Sequence, residues 1–115
     1  MRTLNDYFIT AKIADISTAS STFVGIPDGG RVIKIITALQ GVIATANGAI
    51  TFEIGGTAMT DSAITVAYSG SAAGDVDTSE PTALNTVSED GTIEMITSGA
   101  PTNAIVLYVT FVIRR

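Results

Sequence analysis

The chain reads as short stretches in which apolar and polar residues alternate with period 2, cut by turns rich in Gly, Pro, Asn and Asp. The clearest is Ala49–Ile54, where Ile50, Phe52 and Ile54 share one face while Thr51 and Glu53 share the other. The run 103–113 is the most hydrophobic. Ile105, Leu107, Val109, Phe111 and Ile113 lie on one face; Ala104, Val106, Tyr108, Thr110 and Val112 lie on the other. β-branched and aromatic residues dominate it, so it is predicted as a strand apolar on both sides, which calls for cover on both.

The same reading gives a strand over Asp6–Asp15, with Tyr7, Ile9, Ala11 and Ile13 on one face and Thr10 and Lys12 on the other, and a short one over Phe23–Ile26 that ends at Pro27. Pro27-Asp28-Gly29-Gly30 is a turn: Pro fixes φ, Asp caps, and Gly supplies positive φ. Arg31–Leu39 is a second strand apolar on both faces, with Lys34 the main exception. Thr57–Thr60, Ala63–Tyr68, Ala83–Val87 and Thr92–Thr97 complete the set, with Ala83–Val87 open between a strand and a helical turn. Asp75–Thr82 is expected to be an acidic loop. No stretch has the 3.6-residue periodicity of a long amphipathic helix. The expectation is an all-β, single-domain antiparallel sandwich of jelly-roll type over residues 1–115, with about eight strands and with residues 1–10 available as an N-terminal arm.

Composition changes this picture in one respect. Hydrophobic residues make up 46% and charged residues only 15% of the 115 residues. A domain of this size has more apolar side chains than one core readily absorbs, which points to a subunit interface. Ile33, Ile35, Val106, Tyr108 and Val112, on the doubly apolar strands, are the candidate subunit contacts. A net charge of -5 and only six Lys and Arg argue against an extended nucleic-acid-binding face. The first residues lack the apolar stretch of a signal peptide, and no run is long enough to span a membrane as a helix; synthesis in the cytoplasm is expected.

Candidate chemistry is sparse. The chain has no His, no Cys and no Trp, which removes the commonest general base, the commonest metal ligands and thiolate nucleophiles. Asp75, Asp77 and Glu80 are close in sequence, but an EF-hand register would need Gly and Glu where Glu80 and Thr86 stand. Glu53 and Glu94 lie on outward strand faces, where a glycosidase pair is conceivable, yet nothing in the sequence places them together. The glycine pairs lack the Gly-Lys-Ser/Thr ending of a phosphate loop. No catalytic residue, metal, cofactor or small-molecule substrate is expected.

The segments Gly30–Gly41, Ala49–Thr60, Ile64–Asp75 and Asn85–Glu94 carry a resemblance. In strand rhythm and small-residue turns, over roughly residues 20–113, the chain resembles the jelly-roll decoration, or cement, proteins of tailed bacteriophage capsids. The resemblance implies a structural virion protein on the outer surface of the head. It would bind the major capsid protein, commonly as a homotrimer, and brace the shell. Head contact is expected from the N-terminal segment, through Arg2, Thr3, Leu4, Asn5, Tyr7 and Phe8, because a free arm can add a strand to a neighbouring edge. Arg114 and Arg115, facing acidic capsid residues, are the second option. The competing reading is a carbohydrate-binding or adhesive sandwich of a tail or fibre.

Overall fold

A computed structural model describes residues 4–115. Among these residues there is no helix, and ten strands form two five-stranded antiparallel sheets. The strands are β1 (Asp6–Ile13), β2 (Ser21–Ile26), β3 (Gly30–Leu39), β4 (Gly48–Ile54), β5 (Thr57–Ala58), β6 (Ile64–Val66), β7 (Val76–Ser79), β8 (Thr86–Val87), β9 (Gly91–Thr97) and β10 (Leu107–Arg114). One sheet has the order β1-β10-β3-β7, with β8 also on β3; the other has β2-β9-β4-β5, with β6 also on β4. Successive strands β1 to β4 alternate between sheets, while β1 pairs with β10 and β2 with β9. A long antiparallel ribbon is thus wound over on itself, which is the jelly-roll topology.

The inward faces close the core. Val109, Phe111 and Ile113 of β10, with Val32, Ile35 and Leu39 of β3, meet Ile50 and Phe52 of β4 and Ile93 and Met95 of β9, all buried. Phe52 and Phe111 join the sheets directly, their rings edge to face at 5.7 Å and 88°. That is a favoured geometry for two ring quadrupoles. The loops β1–β2, β3–β4, β6–β7 and β9–β10 gather at one end, and hydrogen bonds fasten them to each other. Ser71 Oγ receives the Ile43 N–H and donates to the Ile43 carbonyl, each at 3.0 Å. Gly99, at φ 71°, packs so closely that a Cβ there would run into the backbone of Ala19.

Three expectations need correction. Val76–Ser79 is a strand, where the acidic composition suggested a loop; its backbone pairs with Ile35–Ala38 of β3. The last strand starts at Leu107, and residues 103–106 belong to the preceding loop, held by backbone bonds from Ile16 N to Ile105 O and from Gln40 N to Val106 O. Residues 6–10 are not a free arm: Asp6↔Arg114 through Thr10↔Thr110 pair within the chain's own sheet, so that segment has no open backbone on its β10 side to lend to a neighbour.

Candidate interaction surface

The outer face of the β1-β10-β3-β7 sheet is the most distinctive surface of the described residues. Register sets its rows. Phe8, Val112 and Lys34 stand side by side; Thr10, Thr110, Ile36 and Thr78 form the next row; Lys12, Tyr108, Ala38 and Val76 form the third. Phe8 is 58% exposed, Val76 60% and Tyr108 41%, so the face is apolar and open. Thr10 and Thr110 bond across strands through their hydroxyls at 3.0 Å, which keeps the middle row rigid without charge. Strand alternation also brings Lys12, Arg31, Lys34 and Arg114 to this one side. The chain has only six Lys and Arg, of which Arg2 lies outside the described residues.

Arg114 is held by Asp6, its register partner on β1, through Nε–Oδ1 at 2.8 Å and Nη2–Oδ2 at 3.0 Å. The Asp6 side chain is almost fully enclosed, and the fork geometry fixes the start of β1 against the end of β10. Hydrogen bonding to Asp6 raises the Arg114 pKa, so the guanidinium stays charged. Arg115 turns the other way: it pairs with Asp28 at 2.7 Å and sits 5.7 Å from the Tyr7 ring centroid.

The expected contact residues divide on this geometry. Arg2 and Thr3 lie outside the described residues, and Leu4 and Asn5 are exposed beside β1. Phe8 is on the open face, but Tyr7 points inward against the core, where its hydroxyl has no hydrogen-bond partner among the described residues. Burial, with the Asp28 charge adding to it, raises the Tyr7 pKa. Tyr7 is thus half-buried on the inner side of β1, apart from the open face that carries Phe8. Of the subunit candidates, Tyr108 is open and Val106 half-buried. Ile35 is 0% exposed within the core and cannot meet a second subunit. Val112, 1% exposed, is closed in its row between Phe8 and Lys34. A bulge lies next to it: Val112 pairs with Lys34 but Ile113 pairs with Val32, leaving Ile33 as the extra residue. Two half-buried residues, Ile33 and Lys34, then separate inward Val32 from inward Ile35.

The opposite sheet carries its own surprise. Glu53 and Glu94, which nothing in the sequence places together, are direct register partners on β4 and β9, with Phe23 of β2 on the other side of Glu94. Like charges directly opposed destabilise a sheet. No group of three or more potential metal ligands comes together among the described residues. On β7 and just before it, Asp77 has its pKa raised by burial and by Asp75.

No protein-family profile matches the chain, and no curated protein sequence matches it. Solved structures do. A chain from the acidic stable capsid structure of Helicobacter pylori bacteriophage KHP30 superposes with a TM-score of 0.61 at 14% identity, covering 96% of this chain and 87% of that one. A chain from Bacillus endospore appendages, described as a novel family of disulfide-linked pili, gives a TM-score of 0.41 at 16% identity, over 94% and 87%. At 14% identity the likeness to the phage chain is a likeness of fold.

Proposed function

We propose that this chain is a structural protein of a bacteriophage particle, a decoration subunit that binds the outer surface of the head through the major capsid protein and braces it as a homotrimer. The observation that carries the reading is the phage-capsid chain with the same fold across 96% of this one. The open apolar face of the β1-β10-β3-β7 sheet supports it, because a lone soluble domain gains nothing from leaving Phe8, Tyr108 and Val76 in water. The role is binding, not catalysis. Many weak contacts repeated by symmetry give a decorating subunit its hold, so no deep pocket is needed.

Co-sedimentation tests this. Shells of the major capsid protein encoded in the same genome are mixed with the purified chain and pelleted. Saturable binding, with a copy number set by the lattice symmetry, is the expected result. A handful of copies per shell would assign the protein to a vertex or tail instead. No binding, together with specific capture on a glycan array, would replace this reading with the adhesive one.

A further inference from the structure

Charge on this molecule is segregated. The net charge is -5, yet Lys12, Arg31, Lys34 and Arg114 all project from one sheet face, whose strands contribute only Asp6 on that side. At the edge of the same sheet, β7 and its flanks carry Asp75, Asp77 and Glu80. No ion pair found among the described residues reaches any of these three. Val76, between them, is 60% exposed. The molecule therefore presents an apolar surface studded with cations, with Val76 at its margin, and, round the corner from it, an acidic edge.

We propose that the outer face of the β1-β10-β3-β7 sheet seats the acidic β7 edge of a second copy, Lys12 and Lys34 meeting the exposed Asp75 and Glu80, and that repeating this contact closes a ring. The proposal rests on the homotrimer reading above and names the surfaces that would build it. Geometry favours this pairing over two others. Face against identical face would set Lys12, Arg31 and Lys34 against their own copies. Face against the Glu53–Glu94 surface would satisfy charge, but those surfaces lie on opposite sides of the sandwich. Such a contact stacks copies into an open filament, whereas surfaces on adjoining sides turn successive copies about an axis. The face also supplies apolar area from Phe8, Tyr108 and Ile36, so the charges are left to set register and partner choice.

The test is sedimentation velocity of the full chain. Wild type should assemble at an ionic strength of about 0.05 M and loosen at about 0.5 M, because the contacts lie at a solvent-reached rim. Lys12→Glu/Lys34→Glu should weaken assembly by about tenfold or more, and Asp75→Lys/Glu80→Lys likewise. Combining all four reversals should restore it, which also shows that the parent variants fold. A monomeric wild type, assembly of Lys12→Glu/Lys34→Glu within about twofold of wild type, or no recovery in the combined variant would overturn the proposal. So would loss of assembly in Glu53→Lys/Glu94→Lys with the first pair unaffected. Shell co-sedimentation is read separately: a monomer that still saturates shells refutes this interface and leaves the capsid reading standing.

Discussion

Replacing Phe52 and Phe111 by leucine, singly and together, asks whether the ring contact is what joins the two sheets. Both side chains are fully buried, one from each sheet, and they meet edge to face at 5.7 Å. A change of shape at nearly constant hydrophobicity costs up to about 1.5 kcal/mol. Losing the aromatic pair adds about 0.5 to 1.5 kcal/mol beyond the buried area. Each single variant should therefore lose about 2 kcal/mol. The double variant loses the pair only once, so it should lose about 3 kcal/mol, not about 4, leaving a coupling of about 1 kcal/mol. Over 115 residues, at about 2.1 cal/mol/K each, the unfolding entropy near Tm is about 0.24 kcal/mol/K. A single variant should then melt about 8 °C lower. The assay is urea unfolding of all four proteins under conditions that hold them monomeric, with equal slopes required. A coupling below about 0.3 kcal/mol, the limit of ordinary additivity, would show that the rings are neighbours only and that the sheets are joined by burial alone.

Other sites give independent checks. Thr45 sits at φ 77°, a conformation that its branched side chain disfavours, so Thr45→Gly should raise stability by about 1 kcal/mol despite losing the exposed hydroxyl contact with Thr102; a lower Tm would show that the contact outweighs the strain. Glu94→Lys turns the Glu53–Glu94 repulsion into attraction and should stabilise by roughly 0.2 to 1 kcal/mol, the gain shrinking with added salt; destabilisation would refute the register argument. The Asp15 carboxylate accepts from Ser17 Oγ and N–H and from Thr18 Oγ1, and these bonds hold its pKa below the ordinary 3.8. The unfolded chain then binds the proton more readily, so the contribution is present above pH 3.8 and is lost as pH falls through the folded value. Wild type should accordingly melt above Asp15→Asn at neutral pH, with the gap closing in acid; a gap independent of pH would place the effect in geometry and not in charge.

How much of this was legible in the chain follows from what is local. Alternation with period 2 is a property of a few consecutive residues, so the strand class, the inward set Ile50 and Phe52, and the Pro27–Gly30 turn could be read directly. Where strands are apolar on both faces the pattern loses its contrast. Val32, Ile33, Ile35 and Ile36 look equivalent in sequence; register with β10 sends Ile35 to the core and Ile36 outward, and only the bulge opposite Val112 and Ile113 makes Val32, not Ile33, the next inward residue. The segment Val76–Ser79 failed for the converse reason: its strand character resides in backbone bonds to β3, and its polar side chains suit an edge.

The candidate surface was the least legible part. Phe8 and Tyr108 could be singled out, but not their membership of one face with the cations. That face is assembled from strands at both ends of the chain, Lys12 beside Tyr108 and Tyr108 beside Ala38. The opposition of Glu53 to Glu94 is of the same kind. By itself the sequence determined which residues prefer strands, turns and burial, because those preferences act over a few bonds. Only the tertiary structure decided which strands are neighbours and in what register, because that choice is made by core contacts and backbone pairing summed across the whole sandwich. Charges and rings far apart along the chain become a basic apolar face, an acidic edge and an opposed carboxylate pair only once that sum is settled.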